Sequence, residues 1–206
     1  TVLEADYEFR RVEVVGPTIS AELARAGTIA VIAALLAMLV YIWLRFEWQF
    51  ALGAVISLIH DVLLTVGLFS LFQLRFDLTT IAALLTTLGF SCNDTVVVFD
   101  RLRENLIKYK KREIMDVMNL SLNETLSRTV VTSLTTLLAL GSLFVLGGDV
   151  IRGFVFAMIW GVVVGTWSSV FVAAVVVKRL GVKRDWSKNG DDGPGKRGGT
   201  QFATND

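Results

Sequence analysis

Five apolar runs dominate the chain, at about 26–44, 50–74, 78–99, 125–146 and 153–177. Each is long enough to cross about 30 Å of hydrocarbon at 1.5 Å per residue. The apolar positions fill these runs instead of marking one stripe, which excludes the one-faced helices of a soluble globule. The joints at 45–49 and 75–77 are very short, so the first three runs pack as antiparallel neighbours. The pattern predicts an all-α polytopic membrane protein, a bundle of five transmembrane helices, and the odd count points to one more helix in the complete unit. Between the third and fourth runs, Leu102, Leu106 and Tyr109 recur at helical spacing with basic residues between them. That is the signature of an amphipathic helix lying in the interface, at about 101–120. Ser121-Leu122-Asn123-Glu124 then fits a capping box opening the fourth run.

The first residues follow a different period. Tyr7, Phe9, Arg11 and Glu13 alternate with Glu8, Arg10, Val12 and Val14 until Gly16-Pro17 ends the pattern, predicting a β-strand. A lone strand buries no core, so 1–17 is expected to be the remnant of an extracytoplasmic domain. Residues 18–180 form the bundle. The stretch 181–206, rich in Gly, Lys, Asp and Asn, is expected to be a disordered basic tail.

Composition agrees with a membrane protein: 53% hydrophobic residues and a mean hydropathy of +0.60. The formal net charge of +1 gives no reason to expect a nucleic-acid partner. Its distribution is more informative. Arg101, Arg103, Lys108, Lys110, Lys111 and Arg112 fall on one side of the five spans, together with Lys178, Arg179, Lys183, Arg184 and Lys188 of the tail. The positive-inside rule makes that side cytoplasmic and puts the N-terminal segment outside. The single cysteine, Cys92, excludes an internal disulfide and reads as packing. No H-E-x-x-H, G-x-S-x-G or P-loop occurs, so nothing marks the chain as an enzyme, and no metal site is expected.

The candidate chemistry lies inside the spans. Asp94 sits in the third and Arg128 near the start of the fourth, and a charge at that depth costs roughly 2.5–3.5 kcal/mol on the lenient insertion scale. Thr80, Thr87, Ser91 and Asp94 share one helix face, as do Arg128, Thr132, Thr135 and Ser142. The two stripes are expected to meet, bringing Asp94 and Arg128 to similar depth. Two readings stay open: a static ion pair fixing helix register, or a proton relay in which a changing Asp94–Arg128 distance loads and unloads the carboxyl. His60 and Asp61 in the second span are a possible second relay, or a pair that only bonds to neighbouring helices. Asn93 reads as an interhelical hydrogen-bond donor. Asn93, Ser91 and Thr87 also offer oxygen ligands should the ion be Na⁺ instead of H⁺. Gly153, Ala157, Gly161, Gly165 and Ser169 repeat every four residues, a ridge for close helix contact. Ala26, Ala30 and Ala34 repeat it more weakly. Both are read as scaffold.

Several stretches together resemble one family. They are Val15-Gly16-Pro17-Thr18-Ile19-Ser20, Trp43-Leu44-Arg45-Phe46-Glu47-Trp48-Gln49-Phe50, Phe76-Asp77-Leu78-Thr79-Thr80-Ile81-Ala82-Ala83-Leu84-Leu85, Asn93-Asp94-Thr95-Val96-Val97-Val98-Phe99-Asp100-Arg101, and Asn123-Glu124-Thr125-Leu126-Ser127-Arg128-Thr129. They are similar to the SecF side of the SecD/SecF protein-export family, within the resistance-nodulation-division superfamily. That resemblance implies a six-helix half with a periplasmic domain after its first helix, so this chain is expected to lack that helix and most of that domain. It implies a location in the bacterial plasma (inner) membrane and use of the proton-motive force to promote preprotein export. It implies as partners SecD (separate or fused upstream), the SecYEG translocon with SecA, YajC and YidC, unfolded preprotein and membrane lipids. No cofactor is implied beyond the coupling ion, and Asp94 and Arg128 match the residues implicated in proton conduction. The alternatives are a proton-driven exporter of small molecules or lipids from the same superfamily, and a passive translocase scaffold.

Overall fold

The computed structural model describes residues 17–182, which form five helices: α1 (Pro17–Arg45), α2 (Trp48–Leu71), α3 (Leu78–Lys108), α4 (Ile114–Leu146) and α5 (Asp149–Arg179). All five are long and apolar enough to cross a membrane. The strand expected at 1–15 and nearly all of the tail expected at 181–206 lie outside the described residues.

Short joints force each helix back along its predecessor, and the small residues decide which neighbours come close. α5 packs against α2, α3 and α4, while α1 leans on α2 and α3 and reaches neither α4 nor α5. The inner helices α3 and α5 are therefore half buried by protein, and α1 and α4 present most of their surface outward. Gly53 lets α2 press on α5: a Cβ there would stand 2.6 Å from Val177 Cγ2. Beside that contact, Phe50 and Phe99 meet edge to face at 5.1 Å. They belong to a core with Ala54, Leu58, Leu88 and Cys92. Cys92 is buried packing, as its apolar surroundings predict. On α1 the close contact is at Gly27, where a Cβ would meet Ile81 at 2.5 Å. Of the weak alanine ridge, Ala26 is exposed while Ala30 and Ala34 are half-buried.

The connection between the third and fourth spans departs from expectation. No separate interfacial helix occupies 101–120. α3 continues to Lys108, and α4 begins at Ile114. With 31 and 33 residues, the two helices run about 46 and 50 Å, longer than the hydrocarbon, and they project beyond it as a hairpin. Ser121–Glu124 is not a capping box but lies within α4, because its polar groups have partners on α3. Asn105 Nδ2 donates to Ser121 Oγ at 3.0 Å and to Glu124 Oε2 at 2.7 Å. Arg101 Nε donates to the same Glu124 oxygen at 2.8 Å. The apolar spacing at Leu102 and Leu106 is satisfied in this hairpin, where both are buried beside Val117 and Met118.

At the other end, Asp77 caps α3. Its Oδ1 accepts from Thr80 N at 2.9 Å and from the hydroxyls of Thr79 and Thr80 at 2.6 and 3.1 Å. Partial burial pushes the carboxyl up, but the hydrogen bonds from Thr79 and Thr80 outweigh it and hold it below its ordinary value. A carboxyl lowered in the folded state stabilises fully above its unfolded value, near pH ~4. That stabilisation disappears as pH falls through the folded value. Asp77→Ala should therefore cost about 0.5–2 kcal/mol at neutral pH. The gap in melting temperature between wild type and variant in detergent should close below about pH 4.

Candidate functional site: a hydroxyl-clamped carboxylate pair

The polar stripe predicted on α3 is real and faces inward: Thr80, Thr87, Ser91 and Asp94 are all buried. What it meets is α5. The two helices run parallel, and their residues pair in register. Gly161 lies against Thr87, and Gly165 lies against Ser91, where a Cβ would stand 3.0 Å from Ser91 Cβ. One turn further, Ser169 Oγ donates to Asp94 Oδ2 at 2.9 Å. The small-residue ridge is thus a scaffold over Ala157–Ser169, but it is also a wall of the site. A Cβ at Gly153 would meet nothing within 4 Å.

Asp94 is clamped from two sides. Thr129 Oγ1 of α4 donates to Oδ1 at 3.0 Å, and Ser169 of α5 donates to Oδ2. The expected meeting of two polar stripes does not occur. Arg128, Thr132, Thr135 and Ser142 are all exposed, although Arg128, next to Thr129, lies level with Asp94 and near enough to act on its charge. Asp94 makes no ion pair among the described residues. The reason is angular: Thr129 and Arg128 are adjacent, so when one points into the α3–α5 seam the other is turned about 100° around the helix. Thr132 and Thr135 instead donate to backbone carbonyls of their own helix. Asn93 is exposed on the far side of α3. With Thr87 donating to Leu84 O and Ser91 to Asp61, the Na⁺ ligand set envisaged from Asn93, Ser91 and Thr87 is not assembled at Asp94.

The second pair gains what the sequence did not show, a partner on another helix. Ser91 Oγ donates to Asp61 Oδ2 at 2.7 Å. His60 Nδ1 lies 3.3 Å from Asp61 Oδ1, and the imidazole is tilted over Trp167 with ring centroids 6.1 Å apart. Two buried carboxylates of α2 and α3 therefore converge on one face of α5. Thr129 and Ser169 were missed as ligands of Asp94 because a hydroxyl in an apolar helix usually bonds its own backbone. The only sequence signal for Ser169 was its place in the four-residue ridge.

A polytopic membrane bundle holding ionisable side chains in its interior, each bonded to hydroxyls of neighbouring helices, belongs to the class of membrane proteins with a built intramembrane site. The chain is a multi-pass membrane protein of the SecD/SecF family: residues 1–183 match the family described as protein export membrane protein SecD/SecF, C-terminal. The protein translocase subunit SecF of Cereibacter sphaeroides is 63% identical over 204 residues, covering 99% of this chain and 61% of that protein. The protein translocase subunit SecDF of Brucella abortus is 47% identical over 91% of this chain and 25% of its own length. The crystal structure of SecDF, a translocon-associated membrane protein from Thermus thermophilus, superimposes with a TM-score of 0.76. It is 44% identical, covering 81% of this chain and 23% of that one. The chain thus spans about three fifths of its SecF relative and a quarter of the fused SecDF relative.

The α3–α5 register makes a stability prediction. In Gly161→Ala the new methyl overlaps Thr87, whose branched side chain cannot swing away. A loss of about 1–3 kcal/mol is expected, read as a lower melting temperature in detergent. Adding Thr87→Ala removes Cγ2 and Oγ1 but leaves the Cβ 2.7 Å from the new methyl, so it should restore only part of the loss.

Proposed function

We propose that this chain is part of the SecF portion of a protein-export complex, and that it couples proton movement to preprotein translocation through Asp94. The family membership supports the export role. The clamp on Asp94 supports the proton role, and it is the observation that carries this reading. An arginine facing the carboxylate would hold it in its charged form. Two hydroxyls can serve either form, because a hydroxyl both donates and accepts. When Asp94 is ionised, Thr129 and Ser169 donate to it. When it is protonated, its own O–H donates to Ser169 Oγ, and the serine hydrogen turns to Thr166 O, which already lies 3.0 Å away. Both protonation states are satisfied without a backbone shift, as a group that must cycle between them requires.

Arg128 enters this proposal from outside the bundle. Its face of α4 is covered by none of the described helices, and it carries Thr132 and Thr135 beside it. The SecD half is the partner we assign to that face, and its approach or withdrawal would bring the guanidinium toward Asp94 or away. The membrane is the bacterial inner membrane, with the α3–α4 hairpin and its basic turn on the cytoplasmic side. The translocon with its motor and the unfolded preprotein are the further partners of the export reading. H⁺ is preferred to Na⁺ because the oxygens around Asp94 are hydroxyl donors whose lone pairs are not gathered round one point.

The test is preprotein export by the complete complex in membrane vesicles, with and without an imposed proton gradient. Asp94→Asn keeps the shape of the carboxylate but carries no exchangeable charge, and one of the two hydroxyls turns to accept from its amide N–H. It should assemble normally and lose gradient-stimulated export by a factor of about 100 or more, the scale of a lost proton-transfer group. Unchanged stimulation would make Asp94 a packing residue and leave the chain a passive scaffold.

A further inference from the structure

The proton reading uses one of the two buried carboxylates and leaves the other without a task. Asp61 is 6% exposed, in the middle of a membrane-spanning helix, where an ionisable group without function is a cost. Its two oxygens face in different directions chemically. Oδ1 looks to His60 and Oδ2 accepts from Ser91. The histidine side chain is 32% exposed and lies beside the exposed Trp167, so it reaches the outer surface of the α2–α5 seam. Ser91 is on the same face of α3 as Asp94 and three residues before it, about 4.5 Å of helix rise away. Ser57, one turn before Asp61 on α2, and Thr95, next to Asp94 on α3, have buried hydroxyl oxygens with no partner among the described residues.

We propose that the His60–Asp61 pair is a second proton-holding site in series with Asp94, joined to it through the Ser91 hydroxyl, with His60 as its entrance. The proposal rests on the proton-coupled reading of Asp94 and says where that proton comes from or goes to. In the first step the imidazolium of His60 gives its Nδ1 proton to Asp61 Oδ1. The N–H bond breaks, an O–H bond forms, and two charges are neutralised together in the apolar interior. The neutral carboxyl turns about Cβ–Cγ and donates to Ser91 Oγ. Ser91 no longer needs to donate to Asp61, and its own hydrogen is free to turn along α3 toward Asp94. Passing the Asp61 proton to Ser91 Oγ while Ser91 releases its hydrogen to Asp94 leaves Ser91 unchanged, Asp61 ionised and Asp94 protonated. Gly165 leaves room for this: a Cβ there would press on Ser91 Oγ at 3.2 Å and stand in van der Waals contact with Asp61 Oδ2 at 3.7 Å.

The experiment uses the complete complex in vesicles loaded with a pH-sensitive dye, reading proton flux and gradient-stimulated preprotein export side by side. Four variants are compared: Asp61→Asn, Asp61→Glu, His60→Gln and Asp94→Asn. Asn at 61 can still accept from Ser91 but holds no transferable proton, so flux and stimulation should both fall by about tenfold or more. Asp61→Glu, which restores the acid with a longer reach, should recover a measurable part of each. His60→Gln should slow flux several-fold with the complex intact. Wild-type flux in Asp61→Asn and His60→Gln, with flux abolished in Asp94→Asn, would overturn the series arrangement and leave the Asp94 reading standing. Wild-type flux in all three would overturn both. Should Asp61→Asn fail to assemble, His60→Gln decides alone: its side chain is half-buried at the edge of the bundle, and an unchanged flux there removes the entrance and the proposal with it.

Discussion

The close approach of α3 and α5 is the constraint from which the rest follows. Gly161 and Gly165 remove side chains where Thr87 and Ser91 come in, so the helices can pack with their polar stripe and small ridge in register. At that separation the carboxylate of Asp94 on α3 is within hydrogen-bond reach of short hydroxyls. Glycine ridges in membrane helices are usually explained by dispersion and by hydrogen bonding between helices. In this bundle the ridge also decides which chemical groups can touch Asp94.

From that packing comes the character of the site. A carboxylate paired with an arginine is a fixed charge, and a buried pair of that kind contributes little stability because desolvation offsets the Coulomb gain. A carboxylate held by hydroxyls is different. Its partners change direction with its protonation state, and Ser169 has a second acceptor ready in Thr166 O. Asp61 is likewise held by a hydroxyl, that of Ser91. The interior of the bundle therefore holds two acids bonded to hydroxyls of neighbouring helices, while Arg128 is exposed on α4.

The hairpin that extends α3 and α4 past the hydrocarbon links this interior to the basic end of the molecule. Asn105, Ser121, Glu124 and Arg101 tie the two helices together there. Arg45 at the end of α1 reaches Asp100 at 3.3 Å. Because α4 is one unbroken helix from Ile114 to Leu146, the hairpin and Thr129 of the Asp94 clamp belong to the same element.

What the sequence determined by itself is set by local physics. The five spans follow from run length against bilayer thickness, and the α3 stripe follows from 3.6-residue periodicity. The buried role of Cys92 and the cost of Asp94 follow from transfer free energy, and several motif-bearing stretches in order were enough to point to the family. Its errors arise where a residue's partner lies on another helix. Ser121 and Glu124 spell a capping box locally, but Asn105 and Arg101 of α3 claim their side chains. Arg128 suits Asp94 by charge, yet Thr129, one residue on, has the right angle. Asp61 looked isolated because Ser91 is thirty residues away in sequence. Periodicity fixes which residues share a face, but the rotation of each face is chosen by the packing of all five helices. Only the tertiary structure could therefore say that hydroxyls, and not a guanidinium, hold the carboxylates.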